Sequence, residues 1–190
     1  MMKKNISDEV QQLAINTYRI VRQKVTGIKT ISVLHIDDEF CFIVQGTESM
    51  NPEKIWAFNI GTKKTVRDFF KRFPPTPGEV ENAINFVEDE VMPLHKLLTP
   101  DSGIYSTDER IREIIQYTVF EKNQDELILS RVSMESVFSR LAAIITGLPA
   151  SQDVLPASNT FVATLLILRE VMHHLGFTEI SIIKSVSNKN

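Results

Sequence analysis

Thr30-Ile-Ser-Val-Leu-His-Ile-Asp-Asp-Glu-Phe-Cys-Phe-Ile-Val44 is the stretch whose reading decides the fold. Two apolar runs rich in β-branched and aromatic residues flank the acidic triplet Asp37-Asp38-Glu39, which predicts paired strands over Ile28 to Ile36 and Phe40 to Gln45 joined by a tight turn. A hairpin turn that closes on a phosphate is normally glycine-rich, because only a chain without Cβ lets successive N–H groups converge on an anion. This turn carries three carboxylates and no glycine.

Upstream, Asp8 to Thr26 reads as a helix with Ser7 or Asp8 as N-cap, an apolar face of Val10, Leu13, Ala14, Thr17 and Val21, and Gly27 as terminator. Downstream, Lys54 to Ile60 reads as a third strand and Thr62 to Phe70 as a short helix stopped by Pro74-Pro75. Thr76-Pro-Gly-Glu79 is a helix start with a Thr cap, Pro at the first position and Glu at the capping-box position. That helix is expected to end or kink at Pro93. A short strand over Ser102 to Ser106 leads into a helix capped by Thr107. Glu126 to Val132 is ambiguous, Ser133 to Thr146 is helical, Asn159 to Leu175 is an amphipathic helix, and Glu179 to Ile183 is a strand before a frayed tail from Ser185. Three early strands followed by helices alternating with short strands indicate an α/β layered domain with a mixed sheet flanked by helices. Residues 1–184 are read as one unit and 185–190 as a flexible tail.

The chain has 190 residues, 43% hydrophobic and 24% charged, enough for a substantial core. Its net charge is −3 with Lys and Arg scattered, which argues against a nucleic-acid footprint. The single cysteine, Cys41, excludes an intramolecular disulfide and a cysteine-based zinc site. No apolar run approaches the ~20 residues of a membrane span and Met1 to Asn5 do not start a signal region, so the expected location is the cytoplasm. Walker-type and dinucleotide loops and a Gly-x-Ser-x-Gly elbow are missing, and seven glycines leave little material for phosphate-cradling loops.

Several segments resemble one known family. Phe58-Asn-Ile-Gly-Thr-Lys-Lys-Thr-Val-Arg-Asp-Phe-Phe70 followed by Pro74-Pro-Thr-Pro-Gly-Glu-Val-Glu81 looks like the segment after the phosphate hairpin of the exopolyphosphatase and guanosine-pentaphosphate phosphohydrolase (Ppx/GppA) family. Asp153-Val-Leu-Pro-Ala157 and Leu165 to Ile182 resemble its late helix and strand, and Ile6-Ser-Asp-Glu9 with Leu13 is similar to the helix before the hairpin. The resemblance implies a ribonuclease-H-like lobe of the actin-like ATPase architecture, covering the second half of the family's catalytic unit.

Carried over by position, the resemblance also marks departures. The family's Asp-Ile-Gly-Gly-Gly-Ser falls on His35-Ile-Asp-Asp-Glu-Phe40, and its second phosphate loop falls near Ser106-Thr-Asp-Glu-Arg110. Both have exchanged glycines for acids. The implied general base is Glu9. Lys64 stands where an arginine is usual, and Ser106, Thr107 and Arg110 are the other candidate phosphate ligands.

Asp37, Asp38 and Glu39, with His35 beside them, have the donor types of an Mg²⁺ or Mn²⁺ site, but adjacent turn carboxylates usually splay apart, which favours a solvated turn. Glu170-Val-Met-His173 has the spacing of a di-iron helix but lacks the second copy such a centre needs. His95 has no evident partner in the sequence. Two functions follow as expectations. One is a non-catalytic binding or regulatory module that uses no cofactor and pairs as a homodimer or with a partner protein. The other is a residual Mg²⁺-dependent phosphohydrolase. A phosphorylated small molecule is a ligand class common to both.

Overall fold

The computed structural model describes residues 7–99, 102–118 and 126–184. The tail from 185 and the first six residues lie outside the described residues. Helix α1 (Asp8–Lys24) is capped by Ser7, whose hydroxyl accepts from the Val10 N–H. Strands β1 (Ile31–Ile36), β2 (Cys41–Gly46) and β3 (Lys54–Phe58) form an antiparallel meander. The β1–β2 register pairs Val33 with Val44 and His35 with Phe42 on one face, and Leu34 with Ile43 and Ile36 with Cys41 on the other. Alternation therefore splits the hairpin's apolar side chains between two cores.

β1 starts at Ile31 rather than Ile28, opposite Gly46, the last residue of β2. Gly46 is required there: a Cβ would lie 2.5 Å from the Tyr18 hydroxyl, which donates to the carbonyls of Thr47 and Ser49 and pins α1 to that end of the sheet.

The second half of the chain adds α2 (Thr62–Phe69), α3 (Pro77–Val91), β4 (Gly103–Ser106), α4 (Glu109–Ile115), β5 (Glu126–Ser130), α5 (Arg131–Ile145), α6 (Asn159–His174) and β6 (Glu179–Ile183). The strand order is β3-β2-β1-β4-β6-β5, with β1, β4 and β6 parallel and β5 antiparallel to β6 at the edge. The mixed sheet flanked by helices is the expected fold class.

The capping box at α3 forms as read. Glu79 N–H donates to the Thr76 hydroxyl at 3.3 Å and the Glu79 carboxylate accepts from the Thr76 N–H at 2.7 Å, which holds the Glu79 carboxyl below its ordinary range. Pro93 falls in a 3-10 turn, Met92–Lys96, that ends α3. The ambiguous segment from Glu126 divides at Ser130, whose hydroxyl accepts from Ser133 N–H and starts α5. One cap is corrected: α4 is capped by Asp108, whose carboxylate accepts from the Arg110 N–H, and not by Thr107. A carboxylate here also answers the helix N-terminal charge.

One face of the sheet is covered by α2 to α6, the other by α1. The larger core joins Leu34, Ile36, Cys41 and Ile43 to residues of all five later helices. α6 lies inside it against α2, α3, α4 and α5, so Val162, Leu166, Ile167 and Val171 are buried along with the expected stripe of Phe161, Leu165, Leu168 and Met172. The smaller core packs Ala14, Tyr18 and Val21 on Val33, Phe42 and Val44. No helix among the described residues is long and apolar enough to cross a membrane.

Candidate functional site

The β1–β2 turn sits at the carboxyl ends of the parallel strands β1 and β4, where α/β sheets place their binding crevices. Its backbone closes on itself through Asp37 N–H to Phe40 C=O at 2.8 Å and then caps the neighbouring helix. The carbonyls of Asp37 and Asp38 accept from the N–H groups of Thr62 at 2.9 Å and Lys64 at 3.0 Å. These first-turn amides of α2, the groups that would otherwise bind an anion, are therefore occupied by the protein's own main chain. Gly61 makes the approach possible, since a Cβ on it would stand 2.5 Å from both the Asp38 carbonyl carbon and the Glu39 nitrogen.

The turn's side chains meet cations from two elements. Asp38 pairs with Lys63 Nζ and with Arg110 Nη2, each at 2.7 Å, and accepts from the Thr62 hydroxyl at 3.3 Å. The hydrogen bond from Lys63 holds the Asp38 carboxyl below its ordinary range; partial burial opposes this and the Arg110 charge adds to it. Glu39 takes a two-pronged contact from Arg67, at 2.8 and 2.9 Å, which lowers its carboxyl and raises the guanidinium. Lys64 points its ammonium instead at Asp68, 2.6 Å away and one helical turn on, and that bond lowers Asp68.

The loop from β4 to α4 is tied to the same turn. Asp108 is buried, and its second carboxylate oxygen accepts the Ile36 N–H at 3.1 Å. Its own N–H donates to the hydroxyl of buried Ser106 at 3.0 Å. Arg110 donates to the Ile36 carbonyl at 2.9 Å while its other arm holds Asp38. His35 packs against Phe42 with ring centroids 4.9 Å apart and planes tilted by 32°, and its ring nitrogens stand 3.6 Å from Asp37 and 3.9 Å from Asp108.

Of the residues singled out from the sequence, the structure brings together Asp38, Arg110 and, through Asp108, Ser106. Thr107 is half-buried beside them. Lys64 contributes its amide and not its ammonium. Glu9 is exposed in the first turn of α1 and takes no part in the network at the hairpin turn. Asp37, Asp38 and Glu39 each face a different partner, and among the described residues no group of three His, Cys, Asp or Glu side chains is placed to hold a metal ion.

Lys63, Arg67, Asp108 and Thr62 complete the network at the turn and were not among the candidate site residues of the sequence. Lys63 and Thr62 were within reach, as the first residues of a helix that follows the hairpin by one strand. Asp108 and Arg67 depend on tertiary placement alone. Glu170 is buried, yet pairs with His174 at 3.1 Å and Arg169 at 2.6 Å, and not with His173. His95 lines a cleft of about 600 Å³ with Thr99, Tyr105, Phe177 and Glu179, beside the amino ends of β4 and β6 and so away from the hairpin turn.

Solved structures share this arrangement of strands and helices. A Ppx/GppA phosphatase of Aquifex aeolicus, in its type II variant, superposes with a TM-score of 0.73 at 16% identity, over 91% of this chain and 59% of its own. A second structure of the Aquifex aeolicus PPX-GPPA enzyme gives 0.73 at 18% identity, over 93% and 64%. An exopolyphosphatase from Cytophaga hutchinsonii gives 0.65 at 16%, over 90% and 58%. The fold is Ppx/GppA-like. The chain spans about 60% of the length of the Ppx/GppA structures it matches. No family model matches the sequence. No curated protein matches it either.

Proposed function

We propose that this chain is a non-catalytic, Ppx/GppA-like binding or regulatory module, acting in the cytoplasm and self-associating. The observation that carries the reading is the state of Asp38, which sits in the hairpin turn and already pairs with Lys63 and Arg110. A polyphosphate entering here meets Asp37 at short range and competes with Asp38 and Glu39 for Lys63, Arg110 and Arg67. At an effective dielectric constant near 20, two like charges 4 Å apart repel by about 4 kcal/mol. The turn's carbonyls also consume the Thr62 and Lys64 amides at the start of α2.

The test is a phosphate-release assay on polyphosphate and guanosine pentaphosphate with Mg²⁺ at high protein concentration. The expected result is no release above that of protein-free buffer. Mg²⁺-dependent release that vanishes in Glu9→Gln establishes the phosphohydrolase reading in its place. Calorimetry with the same phosphorylated compounds separates binding without hydrolysis from no binding.

A further inference from the structure

We infer that the open edge of β5 is the surface on which two copies of this chain pair, strand against antiparallel strand, about a two-fold axis through Ile128. The pairing names the contact for the self-association proposed above and rests on that reading. β5 is one of the two outer strands of the sheet, and its residues Leu127, Ile128 and Leu129 form an apolar run. An unguarded apolar edge is a template for another strand. The other outer strand, β3, is guarded: the Lys54 ammonium lies over the Trp56 ring at 5.8 Å and donates to the Leu97 carbonyl at 3.2 Å. Leu127 to Ser130 supply no charge to do the same at β5.

The ladder fixes which main-chain groups face outward. β5 pairs with β6 so that Ile128 stands opposite Ser181 and Ser130 opposite Glu179, and the Arg131 N–H extends that register by donating to the Thr178 carbonyl at 2.8 Å. In an antiparallel ladder alternate residues turn both N–H and C=O to the partner strand. Arg131, Leu129 and Leu127 therefore face β6, and Ser130, Ile128 and Glu126 turn their N–H groups outward, with the carbonyls of Ile128 and Glu126. A second β5 laid antiparallel with Ile128 on the axis meets this set with the same set. Ile128 donates to and accepts from the partner's Ile128, and the Ser130 N–H donates to the carbonyl of the partner's Glu126. An axis normal to the sheet keeps each face on its own side, so the pair is isologous and closed.

The side chains match as well. Ile128 shares its sheet face with Ser181, Tyr105 and Val33, the face that α1 covers over β1, β2 and β3. β5 lies beyond that cover. Ile128 is accordingly 42% exposed, and Val132, in the first turn of α5, is 81% exposed. On the axis Ile128 packs against the partner's Ile128, and cross-strand pairs of this kind are the unit of sheet stabilisation. A strand of five residues buries a small interface, so the dissociation constant is expected to be on the order of tens of micromolar.

The test places charge on the axis. Ile128→Lys and Ile128→Glu keep the main chain, and each sets its own charge opposite the same charge. Sedimentation and light scattering of the full chain over a concentration series are expected to show a wild-type dimer. Each variant alone is expected to dissociate about tenfold or more readily, and their equimolar mixture to associate again. Val154→Lys, at a 77% exposed position between α5 and α6, is expected to associate as wild type does. If the axis variants do not fold, amide exchange in the wild type decides the matter: Ile128 and Ser130 are expected to slow as concentration rises, while Leu129, bonded to β6, holds steady. A wild type that stays monomeric up to about hundreds of micromolar overturns this pairing and self-association together. A dimer that Ile128→Lys leaves intact overturns the pairing alone and leaves self-association standing. So does a mixture of the two variants that stays dissociated, or exchange at Ile128 and Ser130 that ignores the concentration of a wild-type dimer.

Discussion

At the scale of single residues, the hairpin turn depends on a glycine outside it. Gly61 has an extended backbone, with φ −152°, that any residue adopts, so its requirement is for space. Gly61→Ala would drive a methyl group into the Asp38 main chain and is expected to cost about 1–3 kcal/mol in urea unfolding, the range for an overpacked site. Gly78→Ala is the control. A Cβ there meets nothing within 4 Å, and the position lies in the first turn of α3, so stability is expected to hold or to rise by about 0.5–1 kcal/mol.

Acid response is also argued residue by residue. Asp153 accepts from both arms of Arg140, at 3.0 and 2.5 Å, and from the Leu155 N–H at 2.9 Å. The Arg140 hydrogen bonds hold its carboxyl below the ordinary 3.8. Around and below that value the unfolded chain binds more protons than the folded one, so stability rises with pH there. The contribution is complete above the ordinary value and disappears as pH falls through the lower, folded value. Asp38, Asp68 and Glu79 act in the same direction. Asp153→Asn is expected to lose about 1–2 kcal/mol at neutral pH, less than a fully buried pair because Arg140 is partly exposed. The gap between variant and wild type closes at low pH, and a gap that persists there contradicts the assignment.

At the scale of elements, the signals that survived were local ones. The capping box at Thr76, the pairing of the two hairpin strands and the β6 limits follow from side chains acting within a few residues of themselves, which is what a sequence displays. α6 is the counterexample. Its pattern reads as a single apolar stripe, but four helices surround it, and Glu170 reaches the interior only because Arg169 and His174 satisfy it. Leu168, on the expected stripe, and Leu166, off it, are both fully buried. Alanine at either is expected to cost about 2–5 kcal/mol in thermal or urea unfolding. A stripe-only helix predicts a large loss at Leu168 and little at Leu166. The candidate site was legible to the same extent: Asp38 and Arg110 stood out by type, whereas their meeting across 72 residues, and the turn of Lys64 toward Asp68, are products of packing.

At the scale of the whole molecule, the order β3-β2-β1-β4-β6-β5 puts β6, the last strand among the described residues, inside the sheet, between β4 and β5. Neither half of the sequence can complete the larger core alone, because Leu34, Ile36 and Ile43 of the first hairpin share it with Leu165, Ile180 and Ile182. Unfolding of the monomer is therefore expected as a single cooperative transition by fluorescence and circular dichroism together. The proposed self-association would make that transition depend on concentration, since a complex formed only by the folded chain stabilises it by mass action. The denaturant midpoint is expected to rise as protein concentration rises through the micromolar range, with light scattering giving twice the monomer mass. A midpoint independent of concentration, in a sample that scatters as a monomer, removes self-association from the proposal. The Asp38 network stands apart from that outcome, as all its partners lie on one chain.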